Sequence, residues 1–229
     1  MKYVCRTEAE EIYNELLNEY KFSLEQLIEL SGLGAAQAIA EAFPLNSEMK
    51  SCLFAIGPGD NGAKGLACAR HIKHFGYSPV IFLVSELLRP SFINFQNQCE
   101  MSDIPCLEEL PEAEMIAENY SFIVDAIYGN NFHPPIRPNS AIVLDTLMKY
   151  KLPICCIDIP SGWDTDSGYL KNAIQPNVVI SDIVPKYCVS TIDGIQHYLA
   201  GRILPPMLGE KYELNLPQYP GHFMYVKIN

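Results

Sequence analysis

Three aspartates and one glycine-rich stretch hold the residue types from which this chain could build a reactive centre. In Gly57-Pro-Gly-Asp-Asn-Gly-Ala-Lys-Gly65 the glycines let backbone come close to a ligand. A helix starting beyond them would turn unpaired N–H groups toward a phosphate. The spacing is neither that of a P-loop nor that of the dinucleotide fingerprint, and a plain turn stays open as the alternative. Asp125 lies in Phe122-Ile-Val-Asp-Ala-Ile-Tyr-Gly129, where a carboxylate could coordinate a cation or cap a neighbouring helix. Asp158 lies in Ile157-Asp-Ile-Pro-Ser-Gly-Trp-Asp164, held between an apolar run and a sharp turn. A partly buried carboxylate in such a place is expected to have a raised pKa and to exchange protons near neutrality. Ser161 adds a short oxygen ligand, and a structural Asx turn is the other reading. Asp182 follows Asn177-Val-Val-Ile-Ser181. His71 and His74 are three apart, but no acid or cysteine accompanies them, so they read as a solvated helical face. Tyr187 and Cys188 fall in no nucleophile motif.

These residues need elements to position them. Residues 8–43 read as helical, with Ile12, Leu16, Leu17 and Tyr20, then Leu24, Leu27, Ile28 and Leu30, at helical spacing. Ser23 and Gln26 form a capping box. Gly32 and Gly34 mark an end or kink, with a short helix over 35–43 beyond. From residue 51 short apolar runs alternate with amphipathic stretches: runs at 52–56, 79–84, 104–107, 121–127, 153–159 and 177–181, helices at 66–75, 91–101 and 140–150. This alternation predicts βαβ units and a parallel sheet covered on both faces. Ligands of such sheets bind beyond the carboxyl ends of the strands, where the winding reverses. The loop 57–65, Asp125 with Gly129, Asp158 with Ser161, and Asp182 all fall at strand ends, and their convergence predicts a site.

Length and composition set the bounds. The 229 residues predict one domain over 1–229, with the helical segment 8–43 packed on an α/β body over 51–229. A net charge of −11 excludes nucleic acid as a partner, while still allowing an anionic small molecule held by backbone N–H groups. The 8 cysteines show no zinc spacing, and Cys155 and Cys156 would point to opposite faces of a strand, which suits free thiols in a reducing compartment. With no apolar leader and no membrane span, a cytoplasmic protein is expected.

The segments Gly57–His71, Val124-Asp-Ala-Ile-Tyr-Gly129 and Ile157–Asp164, with Asn18-Glu-Tyr-Lys-Phe-Ser23 and Tyr212-Glu-Leu-Asn-Leu-Pro217, resemble the signature stretches of the YjeF N-terminal family over nearly the whole chain. The resemblance implies a three-layer Rossmann-like α/β domain with a mostly parallel sheet, usually a homodimer. It implies an isomerase that interconverts the R and S forms of hydrated NADH and NADPH (NADHX and NADPHX) at C6 of the nicotinamide ring, in metabolite repair. It also implies a potassium ion on Asn61, Asp125 and Ser161. The nucleotide would lie on Asp60, Asn61, Gly62, Ala63 and Lys64 and on Gly129, Asn130, Asn131, Phe132, His133, Pro134 and Pro135. Asp158 would face the hydrated ring as the catalytic residue and supply a proton to the leaving hydroxyl. Family members also occur in mitochondrial and secreted forms.

The chain departs from the family pattern at several points. Where the family reads Asn-Asn-Gly-Gly-Asp, this chain reads Asp60-Asn61-Gly62-Ala63-Lys64. If the lost glycine had positive φ, Ala63 would cost roughly 1 kcal/mol or more. Lys64 could pair with Asp60, reach the pyrophosphate, or stand in for the potassium ion. Asn130-Asn131-Phe132 replaces Phe-Ser-Phe. Asp182 replaces an apolar residue in a stretch that also loses its threonine. These changes leave a second reading open, a catalytically weak or inactive paralogue that binds nucleotide or a protein partner such as an apolipoprotein.

Overall fold

The computed structural model describes residues 1–48, 50–85, 90–190 and 192–229. Its elements run α1 (Arg6–Asn18), α2 (Leu24–Ala42), β1 (Ser51–Ile56), α3 (Asp60–His74), β2 (Ser78–Leu83), α4 (Pro90–Glu100), β3 (Cys106–Leu107), α5 (Ala113–Asn119), β4 (Phe122–Ala126), α6 (Pro138–Met148), β5 (Ile154–Ile157), β6 (Val178–Asp182), β7 (Gln196–Ala200), α7 (Pro206–Lys211) and β8 (Tyr225–Lys227). A 3-10 turn, Tyr187–Val189, follows β6.

The strands form one sheet in the order β3-β2-β1-β4-β5-β6-β7-β8. Every neighbouring pair is parallel except β7–β8. The winding reverses between β1 and β4, the place where such sheets open a crevice for ligands. Both faces are covered, which is why the strands read as nearly continuous apolar runs. Phe54 and Ile56 pack with Ile39 of α2 and Leu66 of α3 on one side, and Leu53 and Ala55 with Leu144 of α6 on the other. The adjacent thiols obey the same alternation, with Cys155 in the first cluster and Cys156 in the second, and all eight cysteines are free. The architecture is thus three layers with a mostly parallel sheet. No helix among the described residues is long and apolar enough to cross a membrane.

A third cluster joins Ile12 and Leu16 of α1 to Ile183, Val184, Leu208 and Leu214. It seats α1 beside the chain that leaves β6. The Ser23–Gln26 capping box opens α2, as the sequence predicts. The glycines inside α2 do not end or kink it, however. The helix is continuous to Ala42, and a Cβ on Gly32 would sit 2.5 Å from that of Ala67 on α3. Gly32 is there for close helix packing.

Candidate functional site

The glycine-rich stretch is mostly helix. Only Gly57–Gly59 is loop, and Asp60 to Lys64 form the first turns of α3. The N–H groups of a first helical turn have no partner within the helix. The chain can begin the helix this tightly because Gly62 lies against Gly57, where a Cβ on Gly62 would stand 1.8 Å from the Gly57 carbonyl oxygen. Ala63 is buried within the helix and is not among the positive-φ residues, so the expected alanine penalty does not arise.

The strand ends border a cavity of about 530 Å³. Asn61 and Lys64 come to it from α3, Tyr128, Asn130 and Asn131 from the loop after β4, and Asp158 from the end of β5. Asp182 and Lys186 come from β6 and the chain beyond it, and Tyr13 of α1 also lines the cavity, its ring 5.3 Å from the Lys64 ammonium. Asp60, at the start of α3, lines it as well, whereas the remaining residues expected to meet a nucleotide lie outside this lining. Gly62 and Ala63 are buried in α3, Gly129 abuts Asn61, Phe132 stacks on Tyr128 at 4.6 Å, and His133, Pro134 and Pro135 are exposed. A larger groove of about 760 Å³ along Arg202 and Tyr219 is bordered by none of the strand-end aspartates.

Asp158 is held in the left-handed region at φ +71°, and Ile183 at +61°. Such conformations cost of order 1–3 kcal/mol each, and they cluster where structure is committed to function. The Asp158 carboxylate accepts from the Lys186 ammonium at 2.5 Å and from the Asn130 N–H at 3.0 Å. Burial would raise its pKa. The charges of Lys186 and Lys64 and these hydrogen bonds outweigh burial and hold it below the usual carboxylate range. The expected raised pKa is thus reversed, because the sequence does not show that Lys186 meets Asp158. Lys186 also donates to the Asp182 carbonyl at 2.7 Å, so two of its three protons are used among the described residues.

Lys64 pairs with neither Asp60 nor a site beside Asn61 and Asp125. Its ammonium lies 2.5 Å from the Asp182 carboxylate, and both side chains are less than a tenth exposed. Burial pulls its pKa down, but Asp182 and Asp158 hold it above the ordinary ammonium range. Two departures from the family pattern are therefore one feature, a buried ion pair at the end of the cavity.

Asp125, at the end of β4, is fully buried and does not line the cavity. It accepts from the Ser161 hydroxyl at 2.6 Å, the Ser161 N–H at 2.8 Å and the Ile127 N–H at 3.1 Å. Burial still raises its pKa. Asn61 reaches across to the β5 end, donating its Nδ2 to the Ile157 carbonyl at 3.0 Å. Its Oδ1 is buried without a partner among the described residues. An amide oxygen, a carboxylate and a serine hydroxyl are oxygen donors of the kind that suit a hard cation rather than zinc. Among the described residues no cluster of three His, Cys, Asp or Glu could hold a metal. His71 is no solvated face either, since it bonds Glu29 of α2 at 2.7 Å. Cys188 is buried, with its thiol pushed up to about 12, so it offers no nucleophile.

Sequence reasoning assigned no role to Lys186, Arg6 or Tyr13. A lysine just past a strand end was the available signal for Lys186, and the two α1 residues gave none. Comparison with known proteins matches residues 24–188 to the family described as YjeF-related protein N-terminus. Among solved structures, the yeast protein ynu0, YNL200c, is 36% identical, with a TM-score of 0.92 over 100% of both chains. A tetrameric eIF2B-beta2-delta2 complex from C. thermophilum matches at 13% identity and a TM-score of 0.40, over 67% of this chain and 46% of that one, a likeness too distant to bear on the site.

Proposed function

The chain belongs to the YjeF-related N-terminal family, and from that premise we propose that it is an NAD(P)H-hydrate epimerase, interconverting the R and S forms of NADHX and NADPHX. The observation that carries this reading is the Asp158–Lys186 pair, a carboxylate and an ammonium 2.5 Å apart in the cavity wall at the carboxyl ends of β5 and β6. The cavity suits a polar ligand with a flat ring, for Tyr13 and Tyr128 border it and their buried hydroxyls have no partner among the described residues.

In the proposed reaction the ring nitrogen's lone pair expels the C6 hydroxyl, which takes a proton and leaves as water. The depressed pKa of Asp158 makes it the base, so the proton comes from the Lys186 ammonium. The planar cation then adds water from the opposite face, and the proton that this water loses returns to the pair. Holding acid and base in one hydrogen-bonded unit suits a reaction whose two directions are mirror images at one carbon. Asn61, Asp125 and Ser161 would hold potassium, which would supply a fixed positive charge at the strand ends. A homodimer is part of the same proposal.

The test mixes purified S-NADHX with the chain and follows the R form. Catalysed conversion that Asp158→Asn loses by about 10²-fold or more supports the reading. A chain that binds the nucleotide without converting it is the non-catalytic paralogue instead.

A further inference from the structure

Arg6 is the first residue of α1, where the helix dipole disfavours a positive charge. It is nonetheless largely buried, and its guanidinium serves other parts of the chain. Nη1 donates to the carbonyls of Asn130 at 2.5 Å and Phe132 at 2.8 Å, and Nη2 to the Asp164 carboxylate at 2.7 Å. The Arg6 N–H donates to Asp166 at 2.8 Å. One side chain thus ties the loop after β4 to the loop after β5, using the fork geometry that a guanidinium has and an ammonium lacks.

The residue held this way is the one that touches Asp158. Asn130 is fixed at three atoms: its carbonyl by Arg6, its side-chain oxygen by the Thr165 hydroxyl at 3.1 Å, and its N–H by the Asp158 carboxylate at 3.0 Å. We propose that Arg6 is a positioning residue of the site: by clamping the Asn130 and Phe132 carbonyls it aims the Asn130 N–H at Asp158 and makes α1 a working part of the centre. Arg6 lies outside residues 24–188 that match the family, on the N-terminal helix α1. Its effect on turnover rests on the epimerase reading, whereas its effect on Asn130 does not.

Arg6→Ala and Arg6→Lys in the full chain test it, read by amide hydrogen exchange at Asn130 and by turnover. In Arg6→Ala the Asn130 amide exchanges about ten-fold faster, while amides of β1 and β4 keep their protection. The kcat for NADHX falls about ten-fold with KM moving less than about three-fold, and Arg6→Lys recovers part of both losses, since an ammonium lacks the planar fork that holds the two carbonyls and the Asp164 carboxylate together. Unchanged Asn130 protection in Arg6→Ala overturns the proposal, as does full recovery by lysine. Exchange is measured without substrate, so it decides for or against Arg6 even if the wild-type chain proves unable to epimerise.

Discussion

Replacing Lys64 by methionine leaves the Asp182 carboxylate in place without its ammonium. The side chains of the pair are 8% and 6% exposed, so water can replace little of what is lost. Removing one partner of such a pair costs about 3–5 kcal/mol, most of it the uncompensated charge. At this chain length each kcal/mol moves Tm by roughly 2–4 °C, giving a fall of about 6–20 °C. Asp182→Leu should cost less, because the stranded lysine can shed its proton. The double variant Lys64→Met, Asp182→Leu removes both charges and restores an apolar residue at 182. It should lie within about 1 kcal/mol of the parent or above it. Urea unfolding at pH 7, followed through Trp163, the one tryptophan and a buried one, measures all four corners of the cycle. Salt should change the coupling little, since buried pairs are weakly screened. Single variants that each cost under about 0.5 kcal/mol, or that add to the double, would show that the two residues are not one feature.

Two further outcomes follow from the buried groups. His197 bonds Ser181 at 2.9 Å and is held neutral, its pKa lowered to about 4 by burial and by the Lys186 charge. A histidine depressed from about 6.5 contributes stability that is fully present above pH 6.5 and is lost as pH falls toward 4, about 3 kcal/mol in all. His197→Gln should therefore lose less stability than the parent between pH 7 and 4.5 in urea midpoints, and parallel losses would contradict it. Potassium a hundredfold above its Kd should add about 2.7 kcal/mol, roughly 5–10 °C in Tm against tetramethylammonium chloride. Asn61→Ala should abolish that difference, and equal Tm values for the parent in both salts would remove potassium from the account.

The buried strands are the part of the fold that the chain states most openly, because a parallel sheet covered on both faces needs runs such as Cys52–Ile56 and Pro153–Ile159. β7, with Gln196 and His197 at its start, and the short α5, α7 and β8 carry no such run, and their places depend on neighbours far along the chain. Gly32 and Gly34 read as breakers because Ala67 and Gly201, which need the room, are distant in sequence. Asp60 to Gly65 read as loop because glycine and asparagine resist helix locally, whereas here the close approach of Gly62 to Gly57 decides. The site's members were legible as polar residues at strand ends. Their electrostatics were not, since Lys64 finds Asp182 118 positions away and Asp158 finds Lys186 28 positions away. A pKa is set by such partners rather than by the local motif.

Epimerisation through loss and return of water at C6 leaves an isotopic record, and oxygen-18 water reads it. With the chain present, label should enter C6 of both epimers at the rate at which S-NADHX becomes R-NADHX, in proportion to protein concentration and above the background without protein. Nucleotide that binds yet gains no protein-dependent label, or that inverts while keeping its original oxygen, would contradict the account.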